Sequence, residues 1–148
     1  MGNYKCVFLG GTCADSKWRE KLISKLNINY FNPVVEDWTP ECQQEELFQR
    51  ETCDYVLYTL TRPYSTYSIA EVVDDSNKRP EKTIVCVTNE LMDYKWYTKW
   101  VMDEQDIKHL DAVGRLIERN GGLYFKSLDE VAEYLNNINE KENDIYEN

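Results

Sequence analysis

The feature that most constrains this chain is an alternation of short apolar runs with helix-patterned segments. Tyr4–Leu9 (YKCVFL), Ile28–Phe31, Asp54–Leu60 (DYVLYTL), Lys82–Thr88 (KTIVCVT) and Leu123–Phe125 each have the length and residue types of a buried strand. Between them lie segments with helical spacing. Trp18, Leu22, Ile23 and Leu26 form one stripe; Ile107, Leu110, Val113, Leu116 and Ile117 form another; Leu128, Val131, Leu135 and Ile138 form a third. Residues 41–52 are helix-compatible but polar, with Leu47 and Phe48 as their strong anchors, so this helix is expected to pack lightly.

Turn and cap residues punctuate the pattern. Gly10-Gly11 stops the first strand, and Asp15 or Ser16 is placed to cap the helix after it. Asn32-Pro33 closes the second strand. Ser68 is placed to cap a helix opening Ile69-Ala70-Glu71, with Glu71 completing a capping box, and Ser127-Leu128-Asp129-Glu130 repeats that signature before the last helix. Asn120-Gly121-Gly122 ends the helix before the fifth strand. Strands joined through helices need crossover connections, which give a parallel sheet covered on both faces. Five strands over about 125 residues suit an α/β, flavodoxin-like three-layer sandwich with strand order 2-1-3-4-5.

Composition narrows the partners. At 148 residues the chain reads as a single domain over residues 1–139, followed by an acidic, frayed tail at 140–148. A domain of this size buries about 68–70% of its unfolded surface and needs no covalent staples. Lys and Arg number 17 against 27 Asp and Glu, a net charge of −10, with the basic residues scattered; the short clusters Lys17–Lys21 and Lys78–Lys82 read as solvated helix ends. Nucleic acid is therefore not an expected partner. No run of about 18 apolar residues is present and the apolar start is too short for a signal peptide, so no membrane partner and a soluble, cytoplasmic location are expected. Five cysteines without a C-x-x-C pair, and His109 as the one histidine, read as reduced thiols with no metal site.

In sheets of this order ligands bind beyond the carboxyl ends of the strands, at the switch point between strands 1 and 3. The loops Gly10–Asp15 and Thr61–Ser68 are expected to face one pocket there. Gly10-Gly11-Thr12 allows close backbone approach, yet it matches neither a dinucleotide nor a Walker pattern. The second loop is dense in hydroxyls and leads to Glu71. A carboxylate in a first helical turn is held ionised by the helix dipole and nearby N–H groups, which lower its pKa. Residues 90–103 are aromatic-rich and read as a lid, a subunit contact, or a surface helix packing Trp96 and Trp100.

Val7–Thr12 (VFLGGT), Trp18-Arg19, Phe31-Asn32-Pro33, Cys53–Leu57 (CDYVL) and above all Tyr67–Val73 (YSIAEVV) resemble the nucleoside 2-deoxyribosyltransferase-like family over about residues 4–88. The resemblance implies that Glu71 attacks the anomeric carbon of a nucleoside, forming a glycosyl ester and releasing the base, as in retaining glycosidases. It places Glu46, with Glu45 beside it, as the acidic residue that contacts the base and relays a proton. Gly10, Gly11 and Thr12 would line the sugar, Tyr67 and Ser68 would contact its hydroxyls, and Tyr64 or Tyr67 could stack on a base. Arg19 would meet a phosphate or a carboxylate, or lie on the surface beside a core Trp18. Asp54, at the far end of its strand, is expected to be structural. The family habit and residues 90–103 imply a homo-oligomer, and no cofactor is expected. The acceptor is a second base or water. The same pocket could instead bind or sense a nucleotide derivative without chemistry. A redox flavodoxin-like carrier lacks its phosphate-binding loop here.

Overall fold

A computed structural model of the chain describes residues 4–13, 16–89 and 102–146, with side chains as far as residue 138. The elements alternate in chain order: β1 (Cys6–Gly11), α1 (Trp18–Ile23), β2 (Asn29–Phe31), α2 (Pro40–Thr52), β3 (Tyr55–Leu60) and α3 (Thr66–Lys78). A 3₁₀ turn (Pro80–Lys82) then leads to β4 (Thr83–Val87), α4 (Glu104–Arg119), β5 (Leu123–Phe125) and α5 (Leu128–Tyr146). The strands form one parallel sheet in the order β2-β1-β3-β4-β5. Register places Val7 against Tyr55 and Gly11 against Thr59, while Leu60 of β3 meets Val87 of β4. This is the α/β flavodoxin-like arrangement that the alternating pattern predicts.

The three central strands are buried along nearly their whole length because helices cover both faces of the sheet. Alternate side chains divide into two cores. Val7, Leu9, Leu57 and Ile84 pack with Trp18, Leu22, Val131 and Leu135 under α1 and α5. Phe8, Val56, Tyr58, Leu60 and Val85 pack with Val72, Leu110 and Ile117 under α3 and α4. Each fully buried aliphatic side chain contributes about 1.5–3 kcal/mol of transfer free energy.

Helix starts differ from the sequence reading. At α1 the cap position is Lys17, with no side-chain cap; Ser16 instead shares a hydrogen bond with Thr61 (Oγ to Oγ1, 2.9 Å), and Asp15 lies outside the described residues. Helix α3 begins one turn earlier than Ser68, with Ser65 at its cap position. Neither Ser65 nor Ser68 makes a capping box there. The reason is tertiary: the Ser65 hydroxyl is 2.5 Å from Thr12 Oγ1 and donates to the Arg62 carbonyl at 3.0 Å, which folds the β3–α3 loop onto β1.

At α5 Ser127 Oγ does accept from the Glu130 amide (3.2 Å), but Glu130 Oε2 takes the amide of Lys126 rather than that of Ser127. The α5 backbone continues helically to Tyr146, into the acidic segment that starts at Glu140. Helix α4 has a full capping box of Asp103 and Asp106. Of residues 90–103, only Met102 and Asp103 are described, so the aromatic segment 90–101 lies outside the described residues.

Candidate active site

The carboxyl ends of β1 and β3 open onto a cavity of about 680 Å³. Its floor is β1 and the loop after it. Gly11 has φ +118°, and a Cβ there would collide with the Thr59 backbone of the neighbouring strand; a Cβ on Gly10 would lie 2.6 Å from the Tyr58 ring. Glycine at both positions therefore lets β1 lie flat against β3 and bares its backbone to the cavity. Thr12 then locks the two loops together. Its amide donates to the Thr59 carbonyl (3.0 Å) and its Oγ1 accepts from the Thr61 amide (3.0 Å) while meeting Ser65.

Gly10, Gly11, Thr12, Arg19, Glu46, Tyr64, Tyr67, Ser68 and Glu71 all line this cavity. They come from β1, α1, α2 and α3 and the loops between, so the fold brings together the site candidates read from the sequence, with Glu45 left out. Phe8, Cys13, Pro33, Trp38, Gln43 and Arg62 line it as well. Tyr64, Tyr67 and Trp38 form an exposed rim. On α2 Glu46 is half-buried at the cavity, whereas Glu45 is exposed and accepts from Gln49 at 2.9 Å, which favours Glu46 of the two.

Glu71 lies in the second turn of α3, with no acidic residue in the first turn. The expected dipole effect is therefore lost, and the direction of its pKa is reversed. Its side chain is only 15% exposed, and burial pushes the carboxyl up to about 7; the Arg50 guanidinium, 3.3 Å away, opposes this, while Glu46, Asp75 and Asp74 add to it. Burial likewise raises Glu46, against the pull of Arg50 and Arg19.

Beneath Glu71 lies an ionic cluster that the sequence reading did not include. Arg50 of α2 meets Asp75 of α3 in a two-pronged contact, with Nε and Nη2 each 3.0 Å from a carboxylate oxygen, and reaches Asp74 at 3.3 Å. Asp75 is fully buried and also takes the Tyr58 hydroxyl at 2.5 Å and the Arg79 guanidinium. Arg50 is the buried residue of α2, so this helix is held to the body through its charge. The available signal was Asp74-Asp75 at three and four residues beyond Glu71, one turn farther along the same helix.

Arg19 is not a surface residue, and among the described residues it forms no ion pair. It is 5% exposed, and it donates to the carbonyls of Leu9 (3.0 Å), Thr12 (2.7 Å) and Gly11 (3.3 Å) with its charge 4.4 Å from the Trp18 ring centroid. Desolvation lowers its pKa, against Cys13 and Glu46. Its work is to hold the β1–α1 turn in place from within. Asp54 sits at the opposite end of the sheet, where it accepts from the Cys6 amide at 2.8 Å. Among the described residues no cluster of His, Cys, Asp and Glu is arranged to hold a metal ion, and no helix is long and apolar enough to cross a membrane.

A parallel α/β sandwich with two carboxylates facing a switch-point cavity defines a class of small-molecule-binding α/β proteins. Within that class, this chain belongs to the nucleoside 2-deoxyribosyltransferase-like family, whose model matches residues 4–91. That match runs from β1 through β4 and includes Glu46, Arg50 and Glu71. No curated protein and no solved structure matches the chain.

Proposed function

We propose that the protein cleaves or transfers at the N-glycosidic bond of a (deoxy)nucleoside or nucleoside monophosphate, with Glu71 as nucleophile. The observation that carries this reading is the presence of Glu71 and Glu46, both raised by burial, on the wall of one cavity above a glycine floor. Ionised Glu71 attacks the anomeric carbon as the bond to the base breaks, forming a glycosyl ester and stabilising oxocarbenium character on the way. Glu46, kept protonated to higher pH than an ordinary carboxyl, delivers a proton to the leaving base. A second base or water then attacks the ester, and the configuration at the sugar is retained after two inversions. Gly10, Gly11 and Thr12 face the sugar, Ser68 and Tyr67 its hydroxyls, and Tyr64 the base. Arg19 acts by holding the turn that presents Thr12.

The test is chromatography of deoxynucleosides and their 5′-monophosphates incubated with the protein, with and without a second free base, alongside Glu71→Ala. A new nucleoside that forms only with added base identifies a transferase; free base and free sugar identify a hydrolase. Both products should vanish with Glu71→Ala while its circular dichroism is unchanged. Saturable calorimetric binding with no product from wild type would replace this reading with a binding module.

A further inference from the structure

The end of the sheet away from the cavity holds a pair of thiols with no part in the chemistry above. Cys6 opens β1 and Cys53 is the C-cap of α2, and their sulfurs stand 3.3 Å apart. Since Val7 pairs with Tyr55, Cys6 faces Asp54 and is offset by one residue from Cys53. The sulfurs need to close by only about 1.3 Å to reach the ~2.05 Å of a disulfide bond.

The two thiols differ in their surroundings. Cys6 is half-buried and within reach of a small molecule, whereas Cys53 is 3% exposed, with Gln49 Oε1 3.3 Å from its sulfur. Lys82 Nζ donates to the carbonyls of Glu51 (2.6 Å) and Cys53 (2.7 Å), pinning this turn. The hydrogen bond from Cys53 holds the Cys6 thiol below its ordinary value against burial and Asp54, and the Cys53 thiol is pushed up.

We propose that Cys6 and Cys53 form an oxidisable dithiol, a modification site distinct from the cavity, whose oxidant is a hydroperoxide. The Cys6 thiolate attacks one peroxide oxygen; the O–O bond breaks, Cys6 becomes a sulfenic acid, and the departing hydroxide takes up the thiol's proton to leave as water. The Cys53 sulfur then attacks the Cys6 sulfur; the S–O bond breaks, and the hydroxyl leaves with the Cys53 proton as a second water. Two thiols lose two electrons, and one hydrogen peroxide is reduced to two waters. The bond ties the C-terminal end of α2 to β1. Because α2 carries both Glu46 and Arg50, this fixes the helix that forms one wall of the cavity. The site stands independently of the glycosidic reading.

The test uses the reduced 148-residue chain treated with hydrogen peroxide, quenched, alkylated under denaturing conditions and mapped by mass spectrometry. Alkylatable thiols should fall from five to three, a peptide linked through Cys6 and Cys53 should form, and dithiothreitol should restore all five. Cys53→Ser should stop at a Cys6 sulfenic acid that dimedone traps. Retention of five thiols, linkage of other cysteines with Cys6 and Cys53 both free, or over-oxidation of Cys6 without linkage would overturn the proposal. The wild-type map decides the matter even if the variant does not fold.

Discussion

Replacing Glu71 by Gln should make the protein less sensitive to alkali, and the size of the effect follows from where the carboxyl sits. In the unfolded chain Glu71 titrates near its ordinary 4.5; in the folded protein it titrates at about 7, because burial outweighs Arg50. Between those values the folded state holds a proton that the unfolded state has released. Stability is therefore fully present below 4.5 and is lost as pH rises through 7. The two values are about 2.5 pH units apart, and each unit is worth 1.36 kcal/mol, so the loss approaches about 3 kcal/mol by pH 8.5. Gln keeps the volume and an oxygen for Arg50 but has nothing to ionise. Urea unfolding of wild type and Glu71→Gln from pH 4.5 to 8.5 reads the difference directly, since all other titrations are shared to first order. The variant should gain about 3 kcal/mol on wild type across that range, equivalent to roughly 6–12 °C in Tm for a domain of this size. Parallel curves would refute the reasoning: Glu71 would then be ionised throughout, with Arg50 dominant.

Two further outcomes rest on the same cluster. If ionised Glu71 is the nucleophile and protonated Glu46 the acid, kcat/KM for the best nucleoside substrate should be bell-shaped in pH, rising as Glu71 ionises towards about 7 and falling as Glu46 gives up its proton, as measured by initial rates at low substrate. Arg50→Ala strands the fully buried Asp75 with less compensating charge and should cost about 3–5 kcal/mol in urea unfolding, while moving the rising limb to higher pH. Arg50→Lys, which keeps the charge but loses the two-pronged contact, should fall between the two.

The sheet was legible because β1, β3 and β4 are covered on both faces and so read as nearly unbroken apolar runs; their order followed from the crossover rule. Glu71 was legible through the stretch YSIAEVV. Its ionisation was not, because the start of α3 is set by Ser65 meeting Thr12, a residue 53 positions away, and no window of local sequence contains both. Arg50 escaped for a related reason. Helix α2 has little apolar stripe, so its light packing was readable, but the single charged residue that buries itself is chosen by Asp75 and Tyr58 on other elements. Arg19 looked like a surface cation because cations usually are; here three main-chain carbonyls substitute for water around it.

The hydroxyl seam that runs Ser16–Thr61 and Thr61–Thr12–Ser65 divides the site into parts with different freedom to change. Below it, each group is committed to several neighbours at once, and an exchange at one position disturbs both loops. Above it, Trp38, Tyr64 and Tyr67 stand 59%, 79% and 70% exposed, so exchanging them costs little stability. Descendants of this sequence can thus vary what the mouth of the cavity accepts while inheriting an unaltered floor, and ligand preference is free to drift faster than chemistry.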